Sequence, residues 1–391
     1  MKKILFIISY LFIIYSPGVF SQTGNDTLVY LLTCGPGTET YSVYGHSALR
    51  VVIPAEQSDI VYNWGVFDFS APNFVWKFAK GRLDYYLDTD RLQGFLKEYF
   101  YEKRYVLSQR INLKPDEISK LLILISENLK PENIKYRYDF FYDDCSTRIR
   151  DLLEKSVGKT LLYPPVETER IPTFRQMVGK YQNPFPWLKF GVDLIMGSPG
   201  DKKALFRDRM FLPLDLHIGL SAAVINRSGK MIPLLKNPDV ILNFDPLVIR
   251  QLFFTTPVFL FTLVLIIIIM LSAMTKSRKA DNLIDYVVYS VFSVLAVLMI
   301  FFNFFTDHQQ MKWNLNIIWL NPVIIICLLM LILNRKATVW FRTLFFISGA
   351  FLVIHWILPQ QFNISFLLLA FMLLVRSSVR ARFAWNPLSL K

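Results

Sequence analysis

Five apolar runs follow one another after Pro246, and they constrain this chain more than any other feature. They cover roughly Leu252–Met274, Ile284–Phe305, Ile317–Leu333, Val339–Leu358 and Phe362–Val375. Each is near the length needed to cross about 30 Å of hydrocarbon, the last being short. Inside a bilayer every peptide group must be hydrogen-bonded within its own segment, so such runs read as helices. The loops between them carry a consistent bias. Lys276, Arg278 and Lys279 follow the first run, Arg335 and Lys336 the third, and Arg376, Arg380, Arg382 and Lys391 close the chain. The alternate loops hold only Lys312, or no basic residue at Pro359-Gln360-Gln361. Lys and Arg accumulate on the cytoplasmic side, so the expected topology is five spans, a translocated N-terminal part and a cytoplasmic C-terminus. Trp313, Trp319, Trp340 and Trp356 fall near the expected interfaces, as an aromatic belt does. The core spans read as free of Asp and Glu, and His308 and His355 as ordinary residues near the outer interface. The bundle is therefore expected to be an anchor and lipid-contact platform rather than a transporter.

The formal charge of +13 suggests nucleic acid until it is mapped. Between Gln22 and Asp245 there are 29 Lys+Arg against 27 Asp+Glu, and the excess lies in the rest of the chain. This is a membrane-protein pattern and excludes a nucleic-acid footprint. At the N-terminus Lys2 and Lys3 precede the apolar stretch Ile4–Tyr15, Ser16-Pro17-Gly18 breaks it, and Val19-Phe20-Ser21 offers a cleavage site. Residues 1–21 are thus expected to be a signal peptide. The expected divisions are an exported catalytic domain over 22–160, an accessory membrane-proximal segment over 161–245 and the membrane domain over 246–391. Three cysteines are too few for a disulfide scaffold. His and Cys are too scarce and scattered for a metal site, and no glycine-rich phosphate loop or other cofactor motif is present.

Over Asp26–Thr33, Tyr44–Ile53, Ile60–Phe67 and Arg104–Leu113 the pattern predicts strands. Phe74–Lys80, Arg91–Tyr101, Pro115–Asn128 and a segment opened by Asp143-Asp144-Cys145 read as helices, and Tyr136–Tyr142 as extended. The exported domain is therefore expected to be α+β, an antiparallel sheet with helices packed on one side.

Cys145 stands where a helix begins, with Asp144 or Asp143 as its cap. The free amides and dipole of a helix N-terminus favour a thiolate and lower its pKa. A nucleophilic cysteine also needs a base. His46, at the head of a strand, is the candidate. Asn63 on the next strand is placed to orient the imidazole, with Asp68 in reserve. Amides at the helix start, including that of Cys145, are placed to form an oxyanion hole. A Cys34–Cys145 disulfide is the competing expectation, since an exported domain permits one.

Thr33-Cys34-Gly35-Pro36-Gly37, Tyr44-Gly45-His46-Ser47-Ala48-Leu49-Arg50, Tyr62-Asn63-Trp64-Gly65-Val66-Phe67-Asp68 and Tyr138-Asp139-Phe140-Phe141-Tyr142-Asp143-Asp144-Cys145-Ser146-Thr147-Arg148 resemble the periplasmic domain of the Lnb-type lipoprotein N-acyltransferase family. The order of His strand, polar strand and Cys helix more distantly resembles the permuted papain-like group that includes lecithin:retinol acyltransferases. The resemblance covers Leu28 to Gly158. It implies transfer of a lipid acyl chain, from a phospholipid or from the lipoprotein's own glyceride, to the N-terminal amine of a lipoprotein at the inner membrane. Cys145, His46 and Asn63 would be catalytic, and Tyr44, Arg50 and Arg148 would contact substrate. A cell-envelope cysteine amidase or peptidase and a non-enzymatic membrane scaffold are the alternatives.

Overall fold

The structure is a computed structural model that describes residues 26–164, 171–246, 248–275 and 277–383. The expected signal peptide lies outside the described residues. Seven antiparallel strands form the main sheet of the exported domain. They are β1 (Leu28–Cys34), β2 (His46–Ile53), β3 (Ser58–Val66), β4 (Asp84–Arg91), β5 (Val106–Arg110), β6 (Lys135–Arg137) and, beyond a three-stranded sheet of β7 (Leu161–Leu162), β8 (Val224–Arg227) and β9 (Lys230–Pro233), β10 (Asp239–Leu242). The order in the large sheet is β10-β5-β1-β2-β3-β4-β6. Side chains alternate across a pleated strand, so neighbouring residues enter different cores. Val29, Leu31, Leu49, Val51 and Trp64 pack with the helices Pro115–Leu129, Cys145–Val157 and Pro213–Ala222. Leu32, Cys34, Ala48, Val61 and Val106 pack on the other face with Phe95 and Tyr99 of the helix Leu92–Tyr101. Helices therefore cover both faces, where the sequence predicted one.

Strand β4 falls in a stretch where no strand was expected. In Asp84–Arg91 only Leu87 is buried, and three Asp residues mask the alternation. Pairing with β3 from Ile60↔Arg91 to Trp64↔Leu87 makes it a strand.

Residues after 160 do not stand apart from the domain before them. β10 pairs with β5 at the edge of the main sheet, and Leu216, Leu220 and Ile225 enter the same core as Cys145. Other residues of this stretch reach the membrane bundle. Phe190 packs on Phe261 and Phe366 at 5.2 and 5.4 Å between ring centres, and Trp187 Nε1–H donates to the Thr255 carbonyl at 2.8 Å. Met210, Phe211 and Leu212 are buried in the exported domain's cores.

Among the described residues five helical segments are long and apolar enough to cross a membrane: Pro257–Met274, Arg278–Phe304, Leu315–Ile332, Thr338–Ile357 and Ile364–Ala381. Two expectations about them are corrected. Trp319 is fully buried against Phe351 and Phe366 rather than placed in an interfacial belt, with its Nε1–H donating to Asn316 Oδ1 at 2.9 Å. The spans also hold a carboxylate. Asp285 is fully buried and accepts from Arg376 Nε at 2.9 Å and from Arg380, while Arg376 Nη1 donates to Ser272 Oγ at 2.6 Å. This pairing lets the last helix run on to Ala381, six residues past the expected end, because Arg376 meets its counter-charge inside the bundle.

Exported domain and bundle meet through backbone as much as side chains. The connection Phe305–Asn314 between the second and third spans inserts into the domain. Gly197 N–H donates to the Gln310 carbonyl at 2.8 Å, and Asp307 N–H to the Lys80 carbonyl at 2.9 Å. Arg82 pairs with Asp307 at 2.6 Å, and His308 Nε2–H donates to the Phe78 carbonyl at 2.8 Å. Asn314 and Asn316 both donate to the Leu194 carbonyl, at 2.8 and 3.0 Å. Gln310 Nε2–H donates to Asp139 Oδ1, six residues before Cys145.

Candidate active site

The Cys145 helix starts where it does because Asp144 caps it. The Asp144 carboxylate accepts the amide protons of Ser146 at 2.9 Å and Thr147 at 2.7 Å, and the Asp144 amide in turn donates to the Thr147 hydroxyl at 2.7 Å. Such a cap is worth about 1 kcal/mol of helix stability. Asp144 thus turns into the helix end, and Arg148 pairs with Asp143, at 2.6 and 2.9 Å.

The helix N-terminus sits against a gap in the sheet. The β2–β3 register begins at Leu49↔Tyr62, whereas β1–β2 pairing continues to Cys34↔His46 and β3–β4 pairing continues past a bulge to Val66↔Tyr86. Strands β2 and β3 thus separate over the first residues of β2, His46–Ala48, and the last of β3, Asn63–Val66. A glycine stands on each side of this opening. Gly45 has φ +80°, and a Cβ there would lie 2.7 Å from the Cys34 carbonyl. Gly65 has φ +92°, and its Cβ would lie 3.4 Å from the Tyr138 ring and 3.7 Å from Cys145 Cβ. Both backbone positions favour glycine, and the second keeps the space beside Cys145 clear.

Across the opening His46 Nε2 donates to Asn63 Oδ1 at 2.6 Å. This fixes the tautomer: Nε2 carries the proton and Nδ1 the lone pair. The thiol shares a 3.8 Å hydrogen bond with the Ser146 hydroxyl, and the Ser47 backbone and the amides at the helix start lie close enough to favour the thiolate. Among the described residues no direct hydrogen bond joins His46 to Cys145, and the link between them runs through the peptide of Ser47, the residue after His46. With Asn63 on Nε2, Nδ1 is the ring atom left to face a thiol.

Burial governs the protonation states. It pushes the Cys145 thiol above its ordinary 9.0, with the surrounding hydrogen bonds opposing. It pushes His46 below 6.5, with Asn63 opposing. The sequence predicted a lowered thiol pKa from the helix end alone, and desolvation outweighs it. The resting pair is a neutral thiol and a neutral imidazole. The thiolate fraction at any pH is then smaller than in a free cysteine, because a raised pKa delays proton loss. Alkylation of Cys145 by iodoacetamide is expected to be slow near neutral pH and to climb only above pH 9, with His46 protonating only below pH 6.5. An alkylation midpoint under 9 would contradict this account.

Cys34 and Cys145 are both free. They lie in the cores on opposite faces of the sheet, which is why the competing disulfide does not form. Burial raises the Cys34 thiol to about 12.

The remaining candidates are occupied by protein partners. Arg50 is forked onto Asp59 at 2.7 Å and lies over the Tyr30 ring. Arg148, besides Asp143, stacks 3.5 Å over the Tyr136 ring. The Tyr44 hydroxyl accepts from Gln182 Nε2 at 2.7 Å while its ring packs on Phe140. Asp68 is exposed and accepts from Ser70 at 2.7 Å, which leaves Asn63 as the residue on the imidazole. Sequence reasoning missed Tyr136. Its hydroxyl is buried without a hydrogen-bond partner and lies 4.0 Å from the Cβ position of Gly65, beside Cys145. Its position in an aromatic run gave no signal of this, since only the strand pairing of β6 turns the ring inward.

A cysteine at a capped helix N-terminus, a histidine–asparagine pair on splayed strands and a five-span anchor define a membrane-bound protein with a thiol site. The comparisons agree with that description. Residues 20–177 match the Lnb N-terminal periplasmic domain and residues 249–385 the Lnb transmembrane domain. The chain belongs to the Lnb family and is a bacterial membrane protein with a periplasmic N-terminal domain. No curated protein and no solved structure matches it significantly.

Proposed function

We propose that this protein is a thiol-dependent acyltransferase that moves a lipid acyl chain to the N-terminal amine of lipoproteins. The observation that carries the reading is the seating of the Cys145 helix end in the β2–β3 opening, beside a His46–Asn63 pair 2.6 Å apart. Membership of the Lnb family and the bundle beneath supply the lipid context. With a periplasmic domain and five spans, the C-terminus lies in the cytoplasm.

His46 Nδ1 takes the Cys145 proton as Sγ attacks the ester carbonyl of a glycerolipid. Amides at the opening, those of Ser47 and Cys145, and the unpartnered Tyr136 hydroxyl stabilise the tetrahedral oxyanion. The C–O bond breaks, the glyceryl oxygen takes the proton from His46, and a thioester remains on Cys145. The lipoprotein amine then attacks the thioester carbonyl. Its proton passes to His46, the C–S bond breaks, and Sγ recovers the proton. Asn63 holds the ring in the required tautomer throughout.

The test uses the full-length protein in lipid nanodiscs with a diacylglyceryl-cysteine peptide. Mass spectrometry is expected to find an acyl group on Cys145 and an N-acylated peptide. Absence of both, or release of fragments from added cell-wall peptide instead, rejects the reading.

A further inference from the structure

From Cys145 a series of aromatic rings leads to Phe74 and Phe78 of a short helix, and Phe78 lies 6.5 Å from His308 in the connection between the second and third spans. The space left by Gly65 separates Cys145 from Tyr138. Tyr138 lies 4.5 Å from Tyr85, Tyr85 lies 5.1 Å from Phe67, and Phe67 lies 5.9 Å from Phe74, between ring centres. Phe74 opens the short helix Phe74–Ala79, whose Trp76 packs 5.7 Å from Phe301 near the end of the second span. The sheet supplies the inner half of this wall and the bundle its outer end.

The outer half is apolar and largely uncovered by the other described residues. Val75 is 76% exposed, Phe69 65%, Trp76 56% and Phe78 51%. Such a patch in open water is unusual for a folded domain. Here it is continuous with the interface between domain and bundle, at the height where the second span ends. The Lys80 ammonium lies 5.2 Å over the Trp76 ring, an arrangement suited to the boundary between acyl chains and headgroups. The patch therefore meets lipid rather than water.

We infer that this aromatic wall, from Phe78 through Phe74 and Phe67 to Tyr138, with Trp76 flanking its outer end, is the subsite that receives the acyl chain of an outer-leaflet glycerolipid and leads its ester to Cys145. The inference rests on the acyl-transfer reading for the chemistry at Cys145, but the wall binds lipid whether or not that reaction occurs. Rings along the path supply a smooth apolar surface with little side-chain entropy to lose. The absent side chain at Gly65 leaves passage at the end nearest the thiol.

The test is photolabelling of the full-length protein in nanodiscs that contain phosphatidylglycerol with a diazirine at the end of its sn-2 chain. Irradiated protein is digested and mapped by mass spectrometry. Adducts are expected on residues 67–78 and on Tyr85 or Tyr138, in the native protein and equally in Cys145→Ala. Phe67→Asp is expected to lower these adducts about tenfold, because a carboxylate is costly against an apolar chain, without changing adducts on the five spans. Phe69→Asp, at a more exposed position of the same wall, is expected to lower those at residues 67–78. A second arm offers the same photoreactive chain on a diacylglyceryl-cysteine peptide, and the arm that labels identifies which glycerolipid is taken up. Labelling confined to the spans in both arms, or yields unchanged by both Asp substitutions, overturns the inference. Adducts in Cys145→Ala together with no acyl-enzyme in the native protein keep the wall and reject the reaction. Acyl-enzyme formation without adducts along the wall does the reverse.

Discussion

Cys145→Ser is expected to lower acyl transfer on the order of 10³-fold or more, and Cys145→Ala to remove the acyl-enzyme altogether. The physical reason lies in the resting protonation states. His46 is neutral and a weak base, because burial holds it below the ordinary imidazole range. It is able to accept a thiol proton while the carbonyl is attacked, but a serine hydroxyl is far less acidic. His46→Ala is expected to be comparably damaging, since nucleophile and base act as one unit and their losses do not add. Cys34→Ser supplies the contrast. Cys34 packs on the other face of the sheet with a thiol pushed up to about 12, so it neither attacks nor exchanges acyl groups, and activity should survive its loss. The measurement is N-acylation of a diacylglyceryl peptide, followed by mass spectrometry of the intact protein. Acylation that persists in Cys145→Ala would remove the thiol mechanism.

The second large effect is on stability and arises in the bundle. Asp285→Ala is expected to destabilise the solubilised protein by ~3–5 kcal/mol, because it leaves a buried guanidinium with only the more distant Asp281 carboxylate, 3.5 Å from its Nη2. Arg376 is fully buried, and its Nη2 lies 2.7 Å from Asp285 Oδ1. Arg380, also paired with Asp285, is only partly buried and is free to turn toward water. Pairing Asp285→Ala with Arg376→Met removes both charges and should recover most of the loss, as buried ion pairs replaced by apolar residues often do. Thermal unfolding of the two variants in one detergent decides the matter. A single variant that melts with the native protein would show that the pair is not desolvated.

The candidate site was legible in the sequence to the extent that its chemistry is local. Asp144-Cys145-Ser146-Thr147 is a capping sequence, so the position of Cys145 at a helix start follows from residues within one turn of it. Gly45 before His46 and Gly65 two residues after Asn63 are likewise local signs of unusual backbone. What the sequence leaves open is the balance of opposing effects at a distance. The helix end lowers the thiol pKa and burial raises it, and how deeply a residue is buried depends on elements far along the chain. The unpaired Tyr136 hydroxyl follows from the same long-range packing.

The bundle divides in the same way. Span number and apparent orientation follow from hydropathy and charge, which are sums over short windows, and the described helices keep that count. Asp285 escaped notice because one carboxylate barely alters a window average, and only the approach of the last helix supplies Arg376. By itself the sequence determined the export and anchoring pattern, the α+β class, and the helix start at Cys145. Those properties rest on periodicity, composition and neighbours in the chain. Only the tertiary structure decided that two cysteines in one domain face opposite cores, that residues past 160 complete the sheet, and that aromatic rings join Cys145 to the bundle. These depend on strand order, and strand order is set by contacts between residues distant in the chain.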